Sequence, residues 1–375
     1  MTKQPAMQPN RLPGVVHDPA TLKEPFSLAL LGWFAKAARD LPWRHTTDAY
    51  RIWVSEVMLQ QTQVKTVVGY YQPFIDLFPT ITDLAAATEE RVLRAWEGLG
   101  YYRRARGLHQ AAGRLVEMGY HNLPPDPAVL ALLPGMGEYT RNAVLSQAYR
   151  LPLPIVEANS QRVLARLLGV DDDPARGPVR KWLWQASAAL VPQHDPGAFN
   201  QALMELGSLI CTPTKPGCLV CPARPWCAAA ASGSPEAIPR KSPRPAVTRV
   251  EEVALVVRQG DRWLFARRPA SASRWAGLWE FPHREILAGS TGEATLAGLM
   301  NDLFGLAAPS LLLGTVRHSI TRYQVAMAAY LLELPDTPVP CLPDHDAHAW
   351  LHAQQVATTP LSAPQRRLWQ LVNRG

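Results

Sequence analysis

No run of apolar residues in this 375-residue chain is long enough and free enough of charge to span a bilayer, which excludes a membrane-crossing helix. Lysine is missing from Arg249 onward, where 12 Arg face 11 acidic residues and leave that part near neutrality. The first 248 residues hold the other 26 basic and 20 acidic residues, so most of the formal +7 charge lies there. A basic excess favours an acidic partner such as nucleic acid, although an excess of this size also occurs in proteins that bind none. No internal repeat is present, which sets aside repeat architectures. Cysteine is scarce, five in all, and only Cys341 stands apart from the other four. That lone thiol, with no secretory segment at the N-terminus, argues for a reducing compartment, so a cytoplasmic protein is expected.

What is present is concentrated. Cys211, Cys218, Cys221 and Cys227 fall within seventeen residues at C-x6-C-x2-C-x5-C spacing. Unequal short spacings let four thiolates wrap one soft metal centre, and an iron–sulfur cluster is the leading reading. A structural zinc and a pair of disulfides remain open on spacing alone.

Length and a 47% hydrophobic content allow two ordinary cores. Residues 1–25, rich in Pro, Gln and Lys without apolar periodicity, read as a disordered tail. From Phe26 to about residue 230 apolar residues recur at three- and four-residue steps, predicting helices over 27–38, 49–61, 63–77, 89–96, 103–118, 139–148, 160–168, 178–190 and 198–209. Residues 231–248, with Pro235, Pro239, Pro243 and Pro245 among basic residues, read as a solvated linker. Beyond it the period changes to two, predicting strands over 253–257, 263–266, 311–316 and 323–332 with helices near 292–303 and 363–372. An all-α module followed by an α+β module is the expected fold class.

Two features of the helical part carry chemistry. In Leu133-Pro134-Gly135-Met136-Gly137-Glu138-Tyr139 a Pro-Gly-x-Gly turn leads into a helix, so Gly135 and Gly137 allow close backbone approach and free N–H groups at the helix start can hold a phosphate. The bland alternative is an interhelical turn. Glu56 is flanked by Ile52, Val57, Met58 and Leu59, a setting in which burial raises a carboxyl pKa toward the range of a general acid; its alternative is the polar face of an amphipathic helix.

Ser55-Glu56-Val57-Met58-Leu59-Gln60-Gln61-Thr62, Gly98-Leu99-Gly100-Tyr101-Tyr102, the Pro-Gly-Met-Gly turn and the cysteine loop together resemble the MutY-type adenine DNA glycosylases, from about Phe26 to the end of the chain. The resemblance implies a helix–hairpin–helix glycosylase domain with a [4Fe–4S] loop, joined to a Nudix-like domain. It also implies a monomer acting on double-stranded DNA that contains adenine mispaired with 8-oxoguanine, and a bacterial-type, cytoplasmic place in base excision repair. Glu56 would be the general acid. The second carboxylate would lie in Pro154-Ile155-Val156-Glu157-Ala158-Asn159, where the family has Asp-Gly-Asn, so Glu157 and Ala158 depart from the pattern while Asn159 keeps it. The longer Glu displaces its carboxylate by about 1 Å unless the backbone withdraws. Tyr139 stands where the related endonuclease III group has a Schiff-base lysine, which implies a monofunctional enzyme, and it is expected to hydrogen-bond the second carboxylate. By the same resemblance Arg44 lies near the adenine pocket, Gln61 enters the base stack, and Thr62 and Tyr102 contact the opposite base or its neighbours. Two other readings stay open: a lesion-binding protein without turnover, and a glycosylase of the same fold acting on another base.

The C-terminal module also matches with departures. Gly277-Leu278-Trp279-Glu280-Phe281-Pro282 resembles the turn of Nudix-like folds, but the acidic Arg-Glu-x-x-Glu-Glu helix is missing between Arg284 and Leu306, so nucleoside diphosphate hydrolysis is not expected. The family's lesion-sensing His-x-Phe-Ser-His corresponds to His318-Ser319-Ile320-Thr321-Arg322 here. Ile320 keeps an apolar wedge, Thr321 keeps a hydroxyl, and Arg322 replaces a His with a permanent cation.

Overall fold

The computed structural model describes residues 15–240, 242, 246–335 and 340–373. Helices α1 (Pro19–Ala37), α2 (Ala49–Leu59), α3 (Val64–Leu77), α4 (Ile81–Ala86), α5 (Glu89–Ala95), α6 (Arg103–Glu117), α7 (Pro127–Ala131), α8 (Glu138–Tyr149), α9 (Ala158–Leu168), α10 (Gly177–Leu190), α11 (Pro196–Leu209) and α12 (Ala228–Ala231) occupy the first part of the chain. Among the described residues, seven strands and three helices follow: β1 (Thr248–Gln259), β2 (Arg262–Arg267), β3 (Trp279–Glu280), β4 (His283–Glu285), α13 (Gly292–Phe304), β5 (Leu311–Ile320), β6 (Tyr323–Glu333), β7 (Ala347–His352), α14 (Ala353–Thr358) and α15 (Ala363–Val372). An all-α region therefore precedes an α+β region, as the periodicity indicates.

Compact units do not follow chain order strictly. One comprises residues 1–85 and 110–243; the other comprises 86–109 and 244–375. Within the first, Phe26 and Leu30 of α1 join Leu164, Leu168, Leu183, Phe199, Leu203 and Leu206 in one apolar core. The tail expected over 1–25 ends early, because Asp18 caps α1 by accepting from the Ala20 N–H at 3.0 Å and Leu22 and Phe26 already pack inward. Residues 1–14 of that expected tail lie outside the described residues. The expected linker is likewise shorter than 231–248: Ile238 packs against this core and its carbonyl accepts from Arg166, while Arg240 pairs with Asp171. Residues 241 and 243–245 of the linker are outside the described residues.

The second unit is built on one sheet in the order β3-β2-β1-β6-β5, with β1 and β6 parallel, β4 added to β1 and β7 to β2. Val253–Val257 of β1 are buried without interruption because the sheet is covered on both faces. Ala254 and Val256 meet Leu368 and Trp369 of α15 on one face, whereas Val253, Leu255 and Val257 meet Leu296, Leu299 and Leu303 of α13 on the other. Glu280, buried at the turn before β4, takes charge-assisted contacts from Arg268, His283 and His345 at 2.9, 3.3 and 3.0 Å. Although burial opposes ionisation, those partners hold its carboxyl down at about 2, so the turn stays anchored across neutral pH.

Candidate active site

Asp48 starts α2 by accepting from the Arg51 N–H at 2.8 Å, and the helix then buries every residue from Ile52 to Met58. Glu56 is among them, only 4% exposed, so its reading as a polar-face residue is set aside. Both carboxylate oxygens have donors. Tyr139 Oη lies 2.7 Å from Oε2, and Gln147 Nε2, also from α8, lies 2.9 Å from Oε1. Burial pushes the Glu56 carboxyl upward; the Tyr139 and Gln147 hydrogen bonds oppose that shift, nearby Glu157 adds to it and Arg44 subtracts.

Glu157 lies across the same cavity of about 430 Å³, which is also lined by Tyr139, Asn159, Thr62 and Arg44. It caps α9: its two oxygens accept from the Asn159 and Ser160 N–H groups at 2.8 and 2.7 Å, and Ser160 Oγ returns a bond from the Glu157 N–H at 2.8 Å. The extra methylene of Glu is thus taken up by folding the carboxylate back over the helix start. Ala158 is the first residue of α9 and is not among the positive-φ positions, so replacing a glycine there leaves no backbone strain. Burial raises the Glu157 carboxyl as well, with the two backbone donors and Arg162 pulling the other way. Tyr139 corrects one expectation: its hydroxyl is given to Glu56, not to the second carboxylate, and it also lies 3.1 Å from Met204 Sδ.

Three contributors were not legible in the sequence. Gln147 is a polar residue within a helical run. Glu205 of α11 binds Arg39 through 2.6 and 2.8 Å contacts and Arg44 through 3.0 and 3.1 Å contacts. Arg44 is therefore largely buried at the cavity, with its guanidinium also 5.1 Å from the Phe34 ring, and is no lone surface cation. Gly207 allows this arrangement, since a Cβ there would lie 2.6 Å from the Asn159 Cβ and force α11 away from the start of α9. The signal, if any, was the i, i+2 pair of Glu205 and Gly207 in an otherwise apolar helix.

The remaining candidates divide. Thr62 lines the cavity, and Gln61 is exposed with φ 57° at the turn after α2. Gly135, φ 73°, and Gly137, the residue before α8, form the hairpin between α7 and α8. Tyr102 is not at an open surface: it is 4% exposed and its hydroxyl donates to the Leu361 carbonyl at 3.0 Å. The exposed aromatic of that turn is its neighbour Tyr101, at φ 47°. In the other unit, Ile320 ends β5 and Thr321 and Arg322 form the two-residue turn into β6, both exposed, with Thr321 at φ 51°. Arg274 and Arg322 both approach the Tyr323 ring, at 4.7 and 5.1 Å, and Trp275 lies against His318.

All four grouped cysteines are free thiols and line one small cavity with Arg166 and Arg224. Burial raises the Cys221 thiol to about 11, and Arg166 Nη1 sits 3.4 Å from Cys211 Sγ. Among the described residues no three His, Cys, Asp or Glu side chains converge on one ion. A single zinc needs thiolates about 3.8 Å apart, given Zn–S bonds of about 2.3 Å, whereas a cubane takes one thiolate per iron and spreads them wider. Four thiols around one cavity are the donor set that such a cluster takes.

Comparison with known proteins places the chain in a family. Residues 54–188 match the model of the HhH-GPD superfamily of base excision DNA repair proteins, and residues 252–371 match a NUDIX domain. The human adenine DNA glycosylase is 33% identical over 406 residues, covering 92% of this chain and 73% of that protein. The chain belongs to the adenine DNA glycosylases. A Buchnera aphidicola adenine DNA glycosylase is 33% identical over 260 residues, covering 68% of this chain and 73% of the relative. A solved thermostable thymine-DNA glycosylase superposes with a TM-score of 0.51 at 27% identity, covering 57% of this chain and 97% of that one. Family membership makes the chain a DNA glycosylase of base excision repair, with the helical region as its glycosylase fold and a Nudix-like region after it.

Proposed function

We propose that the chain hydrolyses the N-glycosidic bond of adenine opposite 8-oxoguanine or guanine in duplex DNA, as a cytoplasmic monomer without lyase activity. The observation that carries this reading is the meeting of Glu56, Glu157 and Tyr139 in one cavity of a glycosylase fold. Both carboxyls are raised by burial, but their partners differ. Two backbone N–H groups at the positive end of α9 favour the charged form of Glu157, whereas Glu56 has only neutral side-chain donors. A proton entering the pair therefore resides on Glu56, which gives it to the departing adenine. Glu157 keeps negative charge beside the oxocarbenium-like sugar and orients the attacking water. The four cysteines hold a [4Fe–4S] cluster whose contribution is architectural, keeping the loop with Lys215 and Arg224 in shape. Thr321, exposed at the β5–β6 turn, and the half-buried Ile320 before it read the base opposite adenine.

Single-turnover excision on adenine–8-oxoguanine, adenine–guanine, thymine–guanine and uracil–guanine duplexes tests this. Adenine should be released from the first two, leaving an intact abasic strand and no abundant borohydride-trapped complex. Glu56→Gln and Glu157→Gln should each lower the rate by about a hundredfold or more. Excision of thymine or uracil with adenine untouched, or tight lesion binding with no release at all, would replace the reading. Efficient trapping with strand cleavage would put an amine, with Lys65 at the cavity rim, in the nucleophile's place.

A further inference from the structure

We propose that Gln147 is a positioning residue for the proton-donating carboxyl of Glu56, its amide serving as donor to the carboxylate and, turned over, as acceptor for the carboxylic acid. The inference rests on Glu56 being the general acid. A buried general acid must be satisfied in two states, before and after it gives up its proton, and a partner that is only a donor suits one of them. Gln147 Nε2 donates to Oε1 at 2.9 Å, the arrangement for the charged state. Amide oxygen and nitrogen are nearly the same size, so a half-turn of the terminal group presents Oε1 instead, without moving another atom.

The other neighbours cannot take that part. Tyr139 Oη already bridges Oε2 and Met204 Sδ. Glu157, from the start of α9, has both oxygens on backbone N–H groups. Arg44, in the turn before α2, is paired with Glu205 of α11, as is Arg39. Lys65 of α3, exposed at the rim, and these groups complete the titratable and charged residues that line the cavity. Gln147 is the neutral side chain hydrogen-bonded to Oε1, and its amide can act as either donor or acceptor there. Because the bond to the charged carboxylate is stronger than the turned-over bond to the neutral acid, removing Gln147 raises the pH at which Glu56 loses its proton, and the acid loses the partner that aims it.

The test measures single-turnover adenine release against pH, and separately the carboxyl 13C titration of Glu56 in the free protein, for the parent, Gln147→Leu and Gln147→Met. The basic limb and the NMR midpoint should both move up by about one pH unit, and the plateau rate should fall about tenfold. Met is unbranched and near Gln in length, so it stands in if Leu disturbs folding. An unmoved limb and midpoint in a folded variant would mean that Gln147 only fills space. Glu56→Gln separates the two levels: if it keeps the parent's basic limb, Glu56 is not the acid and the function reading falls, while the NMR midpoint in the free protein still judges Gln147.

Discussion

At the scale of residues, the cavity is a balance of buried charges. Glu205 is the clearest case, with desolvation pushing its carboxyl up and hydrogen bonds from Arg39 and Arg44 overcoming that to hold it at about 2. A depressed carboxyl stabilises the fold at pH values above its unfolded pKa, and that contribution is lost as pH falls toward the folded value. Glu205→Gln should therefore remove a stability increment present at neutral pH, about 1–3 kcal/mol from hydrogen bonds to charged groups, and flatten the loss of stability between about pH 4.5 and pH 2. Denaturant titrations at pH 7 and pH 3 check it; equal losses at both would show that the carboxylate's charge is not what matters. Residue identity was enough to single out Glu56 and Glu157, because an acid in an apolar string and an acid in a family motif are visible in one dimension. Gln147 and Glu205 were not, since nothing local marks the group at the other end of a contact 91 or 161 residues away. Tyr102 shows the reverse: two adjacent tyrosines are alike in sequence, and only the turn at Tyr101 decides which ring faces out.

At the scale of elements, the long periodic helices and strands were legible to within a few residues at most ends. Short ones were not. α4, α7, β3, β4 and β7 span two to six residues each, too few for a period to register, and they persist because neighbours supply their partners. The inner ends of the expected tail and linker shifted for a related reason: Pro at a helix start and Pro in a coil look alike, and packing onto the helical core decides between them. The meeting of α9 and α11 gives a test. Gly207→Ala would place a Cβ 2.6 Å from Asn159 Cβ and 2.8 Å from its backbone carbonyl oxygen, neither of which can swing aside cheaply. Overpacking of this kind costs about 1–3 kcal/mol, and the displaced Glu157 cap should slow excision by about tenfold or more. Wild-type melting and rates in Gly207→Ala would show that the two helices can part without consequence. The β5–β6 turn gives another: Thr321→Gly relieves a left-handed residue and should raise stability by about 0.5–1 kcal/mol, while the preference for 8-oxoguanine over guanine opposite adenine drops. A preference unchanged in the variant would make the turn structural only.

At the scale of the whole molecule, net charge and the metal expected of four grouped thiols can be measured in bulk. Purified protein should be yellow-brown with about four irons per chain, as four thiolates on one cubane require. Stoichiometric zinc without iron in anaerobically prepared protein would overturn the cluster. Lys215→Ala, in the exposed part of the cysteine loop, should weaken binding to any duplex and reduce the slope of log affinity against log salt by about one. An α then α+β order, the four-cysteine group and the family were determined by the sequence itself, because periodicity, spacing and motif are properties of neighbours along a chain. Which tyrosine is buried, how an extra methylene at Glu157 is absorbed, which partners hold Glu56, and why Gly207 must lack a side chain were decided only in three dimensions. Each depends on distances between segments far apart in sequence, and burial, charge pairing and steric fit exist only once those segments meet.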